Sequence, residues 1–377
     1  MDNFKAGIYK QQLEYKSFLP SKINRDFNIG DKETVMLLEE ASRGLGQIDA
    51  YSLLVPDIDL FIQMHIFKEA TLSSKIEGTQ TTLEDAVKPE EIILPEKHDD
   101  WAEVQNYTKA MDFAVKQLKE LPVSMRLIKE IHKILLSGVR GAKKYPGEIR
   151  RSQNWIGGSN LKDAFFVPPH HDDLPELLSD MEHFWHNKNL KIPLLIKAAI
   201  FHYQFETLHP FCDGNGRMGR LIIPLMLVSE GVLSKPVLYI SDFFERNKGA
   251  YYDCLTVART SNDIGGWVKF FLSGMIKTAN DARETLCKVV EYKAGIDKKI
   301  LGIGSRAKTA NILAGTMFST PVIGINKAAE ILGVSYNTAA RLIQLLENEN
   351  IIRQIDDKER NKYYELNGYL DLFKRQV

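Results

Sequence analysis

Cysteine is the first scarcity in this chain, which has three cysteines among 377 residues. Cys212, Cys254 and Cys287 show no paired spacing, so the sequence predicts neither a disulfide framework nor a zinc site. No apolar run reaches the roughly 18 residues that indicate a transmembrane helix. The first residues also lack the apolar stretch of a secretory signal. We therefore expect a cytoplasmic protein with no membrane partner.

Net charge is absent as well, because 49 Lys and Arg residues balance 49 Asp and Glu residues. A chain without net charge has no overall field that draws it toward nucleic acid. Long-period repeats and low-complexity tracts are also missing, which argues against repeat architectures and disordered tracts. What remains is a composition of 44% apolar and 26% charged residues, typical of globular proteins, at a length that predicts two or three domains.

The pattern along most of the chain is helical. Helical periodicity runs from about residue 33 to 88, and the charged, proline-containing segment 88–100 is interpreted as a connecting loop. Helices resume near Trp101 and dominate to about residue 300, with one interruption. That interruption is rich in Gly, Pro and Asn and contains the β-like stretch "AFFVPP", which predicts a hairpin.

The last part of the chain has a different pattern. Residues 321–377 read as helix, turn at Gly333, second helix, strand and returning strand, the order of a winged helix-turn-helix. The second helix offers Ser335, Tyr336, Asn337 and Arg341 for recognition. The segment nevertheless carries eight Lys or Arg and eight Asp or Glu residues, whereas DNA-binding modules usually have a basic face. DNA binding and protein docking both stay open.

The most informative stretch is "HPFCDGNGRMGR", which lies between two apolar helical segments. Gly214 and Gly216 bracket Asn215 directly before a predicted helix, and free backbone N–H groups at a helix start form an anion site. Arg217 and Arg220 are three positions apart, so they share one face of the first turn and can bind one polyphosphate. The stretch therefore predicts a phosphate site.

Two further groups in this stretch point to catalysis. Asp213 lies at the edge of the loop, where a carboxylate facing phosphates suits Mg²⁺. His209 ends the preceding helix and has a side chain suited to act as a general base. A simple turn needs neither group, so the combination predicts nucleotidyl or phosphoryl transfer. Cys212, within the same loop, is interpreted as a small filler rather than a nucleophile.

The stretch resembles the signature of the Fic/DOC family, His-Pro-Phe-x-(Asp/Glu)-Gly-Asn-Gly-Arg-x-x-Arg, and matches every defined position. "QNWIGGS" followed by "FVPP" resembles the family's flap, and "AYYDCL" resembles its tyrosine pair. The resemblance covers most of residues 30–290. It implies a mainly α fold, a Fic-type helical core with a short β-hairpin flap at 154–169, to which the C-terminal winged helix-turn-helix domain is added. The expected domains are a helical N-terminal region (1–100), a Fic catalytic core (101–290) and the winged helix-turn-helix domain (305–377).

The resemblance implies a protein adenylyltransferase, which transfers AMP from ATP to a Ser, Thr or Tyr hydroxyl of a target protein or of itself. His209 would remove the hydroxyl proton, and Asp213 would bind Mg²⁺. The nucleotide would be held by the loop glycines with the asparagine between them, by both arginines and by the tyrosine pair: Gly214, Asn215, Gly216, Arg217, Arg220, Tyr251 and Tyr252. An extended target segment would pair with the flap, and a homodimer is an open expectation. The phosphate-transferring Doc branch carries a lysine at the position of Gly216, so AMP transfer is favoured here.

"SSKIEG", residues 73–78, resembles the family's inhibitory pattern (Ser/Thr)-x-x-x-Glu-(Gly/Asn). By this resemblance the helix that ends here is inhibitory, because Glu77, supported by Ser73, would pair with Arg220 where the γ-phosphate belongs. Removal of AMP from modified targets stays open. Two alternatives also remain: another nucleotidyl or phosphoryl transfer on the same scaffold, and a nucleotide-sensing DNA-binding regulator.

Overall fold

The computed structural model describes residues 4–28, 31–55, 58–356 and 360–374. The fold is mainly helical, with a small antiparallel hairpin near the N-terminus and a three-stranded sheet near the C-terminus. The helices are α1 (Lys32–Leu54), α2 (Ile58–Ile76), α3 (Leu83–Ala86), α4 (His98–Gln117), α5 (Met125–Leu135), α6 (Leu174–His186), α7 (Leu194–Leu208), α8 (Asn215–Ser229), α9 (Ser241–Arg246), α10 (Lys248–Ser261), α11 (Ile264–Leu301), α12 (Ala307–Met317), α13 (Ile325–Leu332) and α14 (Tyr336–Asn348). Among the described residues, none of these helices combines the length and apolar character needed to cross a membrane.

The N-terminal hairpin is an addition to the N-terminal helical region that was expected over residues 1–100. Strands β1 (Gly7–Gln11) and β2 (Lys16–Pro20) pair antiparallel. Phe18 is buried and packs against Phe166, with ring centroids 6.0 Å apart. Helical periodicity begins only after this hairpin, and the burial of Phe18 is visible only in the structure, so the sequence pattern did not indicate the two strands.

The flap predicted at 154–169 is a loop rather than a hairpin of two strands. Its only ladder contact is one antiparallel bridge, in which Ile156 and Phe166 exchange backbone hydrogen bonds of 2.8 and 3.0 Å. Gly157 and Gly158 have positive φ angles of 69° and 71°, so the chain turns away directly after the bridge. On the other arm, the two prolines that end the segment have no N–H groups for a ladder.

Helices α7 and α8 form the centre of the molecule. Every residue of α7 after the first is buried, including the polar side chains of Lys197, His202, Gln204 and Glu206. Helices α6 and α11 pack on α7, and helices α2, α4 and α5 pack on α8. The loop between α7 and α8 therefore lies where several helices converge, and residues distant in sequence can reach it.

The C-terminal module (residues 307–356 and 360–374) has its own small sheet. Its elements follow in the order α12, β3 (Val322–Gly324), α13, α14, β4 (Ile352–Gln354) and β5 (Tyr363–Leu366), and β5 pairs with both other strands. Gly333 has a φ of 62° between α13 and α14, and Ser335 caps α14 by accepting from the N–H of Thr338. Helix–turn–helix is thus followed by two strands.

The C-terminal module shares a core with the rest of the chain. Phe318 packs edge-on against Phe61 of α2 at 5.5 Å, and Phe373 packs edge-on against His65 of α2 at 5.3 Å. Helix α11 continues past residue 290, where we expected the catalytic core to end. The module therefore rests directly on α2.

Candidate functional site

The loop between α7 and α8 is held in a tight turn by its own residues. His209 ends α7 in the left-handed conformation with φ 46°, and Gly214 precedes α8 with φ 74°. Between them, the side chain of Asn215 accepts from the N–H of Phe211 at 2.8 Å and donates to its carbonyl at 2.9 Å. The Asn215 amide is thus used to close the loop, which leaves its backbone N–H as the group that can face an anion.

Arg220 is bound to the end of α2. Its side chain is 1% exposed; Nε donates to Ser73 Oγ at 2.9 Å, and Nη2 donates to the Ser73 carbonyl at 2.8 Å. The same Nη2 donates to Glu77 Oε1 at 2.7 Å. The structure therefore brings together three residues that lie up to 147 positions apart and that sequence reasoning grouped in one site.

Gly216 makes room for this pair. A Cβ at position 216 would lie 2.1 Å from Glu77 Oε1 and 3.0 Å from Arg220 Nη1, closer than side-chain atoms approach. The carboxylate of Glu77 consequently stands over the first turn of α8, whose backbone N–H groups have no partner within the helix. The carboxylate of Glu77 therefore fills the space beside these N–H groups.

The charges of Glu77 and Arg220 stabilise each other. Burial by itself raises the pKa of Glu77, but the Arg220 charge and its hydrogen bond hold that pKa below its usual value. Burial alone would lower the pKa of Arg220, but the negative charge of Glu77 and of neighbouring groups raises it above its usual value. The guanidinium therefore stays charged. The pair is fully ionised near neutral pH.

Arg217 is held by a carboxylate that sequence analysis missed. Its Nη1 donates to Glu103 Oε2 of α4 at 3.0 Å, and both side chains are almost fully buried. Glu103 also accepts from Thr79 Oγ1 at 3.1 Å and from Arg140 Nε at 2.9 Å. No local pattern marks Glu103, since its partners lie on three other segments of the chain.

Asp213 is positioned by a histidine that was also missed. Gly147 donates its N–H to His132 Nδ1 at 2.8 Å, which leaves His132 Nε2 to donate to the Asp213 carbonyl at 2.9 Å. The imidazole stacks on Phe211 at 3.7 Å, and burial lowers its pKa to about 4. His132 therefore stays neutral, and its hydrogen bond fixes the position of the Asp213 backbone and hence the direction of the Asp213 side chain.

The Asp213 carboxylate fits the magnesium role that the sequence predicts for it. Its side chain is 40% exposed, unlike the buried arginines beside it. One oxygen accepts from the Gly214 N–H at 2.6 Å and lies 3.7 Å from Arg217 Nη2. Mg²⁺ on a nucleotide needs only one or two protein carboxylates, because phosphates and water complete its coordination.

His209 has the protonation state that a general base requires. Burial lowers its pKa to about 4; Glu77 acts in the opposite direction, and the Arg150 charge lowers it further. The imidazole is therefore neutral at physiological pH and free to accept a proton. Arg150 and Asn154, which sequence analysis did not single out, each donate to the His209 carbonyl, at 3.0 and 3.1 Å.

The two tyrosines lie in different environments. Tyr251 is 1% exposed, stacks on Phe244 at 4.4 Å and hydrogen-bonds His202 Nε2 at 2.9 Å through its hydroxyl group. Tyr252 is 39% exposed, with its ring 5.1 Å from that of Tyr251. Of the pair, Tyr252 is accessible to a nucleotide and Tyr251 supports it from the core.

Comparison with known families accounts for two consecutive parts of the chain. Residues 35–116 match the Fic/DOC family N-terminal region, and residues 122–227 match the Fic/DOC family. The second match contains the whole loop and the first turn of α8 described above.

Comparison with curated proteins gives partial matches. The chain is 34% identical over 149 residues to the protein adenylyltransferase Fic of Aedes aegypti, covering 39% of this chain and 27% of that protein. It is 36% identical over 138 residues to a probable protein adenylyltransferase of Aquifex aeolicus, covering 36% of this chain and 40% of that protein. The matched region spans well under half the length of these relatives.

Solved structures share the fold. A Fic family protein from Desulfovibrio desulfuricans G20 superposes with a TM-score of 0.55 at 21% identity, covering 94% of this chain and 99% of that one. A Fic domain-containing signalling protein from Bacteroides thetaiotaomicron gives a TM-score of 0.53 at 18% identity, covering 67% and 97%. The likeness to the first extends through the C-terminal part of the chain.

Proposed function

Because this chain belongs to the Fic/DOC family, we propose that it is an autoinhibited protein adenylyltransferase. It transfers AMP from ATP to a Ser, Thr or Tyr hydroxyl of a target protein or of itself. The observation that carries the proposal is the ion pair of Glu77 and Arg220 over Gly216, beside the neutral His209. Glu77 contacts the same groups, the Arg220 guanidinium and the backbone at Gly216, that would bind the phosphate.

The chemistry follows from the groups around the loop. His209 accepts the proton of the target hydroxyl as its oxygen bonds to the α-phosphorus, and the bond to the bridging oxygen breaks to release diphosphate. The N–H groups of Gly214, Asn215 and Gly216 stabilise charge on the transferred phosphoryl group, and Arg217 binds the departing phosphates. Asp213 would hold Mg²⁺, which would supply charge neutralisation on the phosphates.

Inhibition follows from competition for one arginine. Arg220 binds the γ-phosphate in the productive complex, but Glu77 occupies its guanidinium in the resting protein. A carboxylate and a phosphate cannot share this position, since both are anions and the space above Gly216 is filled. ATP therefore binds productively only when the end of α2 moves.

The experiment that tests this function uses ATP labelled separately at the α- and γ-phosphates. We expect the Glu77→Gly protein to incorporate α-label and no γ-label, with Glu96→Gly, an exposed glutamate, as the matched control. Incorporation of γ-label would reassign the protein to phosphoryl transfer. Absence of both labels from self and from added proteins would contradict the proposal.

The C-terminal module suggests a second role, and we propose that it is a winged helix-turn-helix that binds a macromolecule. The outward face of α14 presents Tyr336, Asn337, Arg341 and Gln344, all exposed. Such a face suits either selection of a target protein or DNA binding. A mobility shift with random-sequence duplex DNA at several salt concentrations separates the two, because DNA retention must fall steeply with salt.

A further inference from the structure

Arg150 is a buried cation whose hydrogen-bond acceptors are all neutral. It is 3% exposed, and burial lowers its pKa to about 10, so it remains protonated at neutral pH. In the described part of the chain its guanidinium donates to four backbone carbonyls, those of His209 (3.0 Å), Ser152 (3.0 Å), Pro169 (2.6 Å) and Leu208 (3.4 Å). Buried charges are normally paired with opposite charges, so this arrangement requires an explanation.

One side of this arrangement is the end of α7. The last carbonyls of a helix have no partner within it, and here Arg150 binds those of Leu208 and His209. Asn154 donates from Nδ2 to the carbonyls of His209 and Phe211, at 3.1 and 3.0 Å. The left-handed backbone of His209 is thus held from two sides, which a strained residue needs in order to persist.

The other side is the flap. Ser152 directly precedes the flap and Pro169 ends it, so one guanidinium binds the chain at both ends of the flap. The backbone of Arg150 adds a third link, because its N–H donates to the Pro210 carbonyl at 2.9 Å. The flap and the loop that carries His209 therefore share one rigid connection rather than two independent supports.

We propose that Arg150 and Asn154 form a carbonyl clamp, a pair of positioning residues that fixes the distance between the flap and the His209 imidazole. The proposal rests on the proposed function and on the expectation that an extended target segment pairs with the flap, which would bring its hydroxyl to His209. A base that is misplaced by about 1 Å can lose roughly a hundredfold in rate, so such a connection affects catalysis without touching substrate. Burial is the main cause of the lowered pKa of His209, and the positive charge of Arg150 lowers that pKa further.

The kinetic test uses Arg150→Lys and Arg150→Gln, both in the Glu77→Gly background. The matched controls are Arg151→Lys and Arg151→Gln, since Arg151 is the next residue and its side chain is 90% exposed. Lysine retains the charge but cannot reach four carbonyls. We expect either change at 150 to lower kcat by about ten- to a hundredfold and to raise the KM for the target, with the Kd for ATP unchanged.

The second readout needs no activity. Histidine proton resonances are titrated by NMR, and the signal of His209 is assigned by its loss in His209→Ala. We expect Arg150→Gln to move the midpoint of the His209 titration up by about one pH unit, because a like charge is removed. Arg150→Lys should leave the midpoint in place, while amide exchange at Ile156 and Phe166 becomes faster in both variants.

The outcomes separate the clamp from a general packing role. Equal losses in ATP binding, target KM and melting temperature would overturn the clamp, as would an Arg150→Gln kcat within twofold of Arg151→Gln. If Arg150→Gln does not fold, Arg150→Lys and Asn154→Ala carry the same comparison. If the Glu77→Gly protein transfers no AMP, the proposed function fails, and the titration with the amide exchange decides the clamp alone.

Discussion

Two carboxylates hold two arginines that lie one turn apart on α8, and they hold them differently. Glu77 follows the last turn of α2, is 36% exposed and meets Arg220 at 2.7 Å. Glu103 lies within α4, is 6% exposed and is bound by Thr79 and Arg140 as well as by Arg217. The first carboxylate has one cationic partner and an open side, whereas the second is enclosed on every side.

This difference separates a releasable contact from a structural one. An ion pair at a helix end can break when the end moves, because water replaces the lost partner. A buried carboxylate with several donors cannot leave without exposing charges to an apolar interior. We infer that Glu77 controls access to the site and that Glu103 keeps Arg217 oriented, and the following experiments can break or sharpen this contrast.

The largest effect is expected from His209→Ala in the Glu77→Gly background. Loss of a general base costs about 10²–10⁴-fold in rate. The increase in AMP transfer that Glu77→Gly should give by freeing Arg220 should therefore disappear, while ATP still binds. Turnover of α-labelled ATP and calorimetric ATP binding measure the two properties. Retained activity in the double variant would mean that release acts through another base.

The next effect is the gain from Glu77→Gly itself. The lost charge-assisted hydrogen bond corresponds to about ten- to a hundredfold in AMP transfer. Arg220→Ala added to this variant should cancel most of the gain, since the γ-phosphate loses its partner. Ser73→Ala should give only partial release, because Ser73 supports Arg220 without a charge. Activity of Glu77→Gly at or below wild type would make the pair an ordinary structural contact.

Glu103→Gln should behave in the opposite way. We expect a loss of about 1–3 kcal/mol in the free energy of unfolding, because the buried Arg217 would lose the carboxylate that it contacts at 3.0 Å. AMP transfer should fall or stay constant, with no gain. Chemical denaturation beside Glu96→Gln as an exposed control measures this. A more active Glu103→Gln protein would remove the distinction between the two carboxylates.

The pH dependence should be small over the physiological range. Since the pKa of His209 is about 4, its neutral form predominates throughout pH 6–8. Because the pKa of Glu77 lies below its usual value, the ion pair with Arg220 is intact throughout pH 6–8. The pair weakens only when the pH falls through that lowered pKa. Rate profiles of wild type and Glu77→Gly should both be flat from pH 8 to 6. An inflection near 6.5 would indicate an ordinary, solvated histidine.

The smallest effect on AMP transfer is expected from Arg341→Ala on the exposed face of α14. Self-modification should be unchanged, while retention of a target protein or of DNA falls. This substitution is preferable to deleting the chain from residue 305, because deletion would uncover Phe61 and His65. A loss of self-modification in Arg341→Ala would show that α14 communicates with the site.

The features that could be predicted from the sequence are those that depend on residues close together in the chain. The mainly helical Fic fold is confirmed, and Fic/DOC family models match residues 35–116 and 122–227. Both could be predicted because helical periodicity and the loop signature are local. Glu103, His132 and Arg150 were missed because their roles arise only when distant segments converge on α8, on the loop before it and on the end of α7. The prediction that the flap is a β-hairpin was wrong, because residue composition does not distinguish a single β-bridge from two paired strands.

Helix α2 connects the C-terminal module with the start of α8, directly after the loop between α7 and α8. Phe61 and His65, near the start of α2, pack against the C-terminal module. Ser73 in its last turn and Glu77, the residue after the helix, both bind Arg220. If a partner of the module prefers one position of α2, it changes the affinity of the site for nucleotide. Thermodynamic linkage then requires nucleotide to change the affinity for that partner by the same factor. A non-hydrolysable ATP analogue should therefore shift the partner's Kd as much as the partner shifts the analogue's.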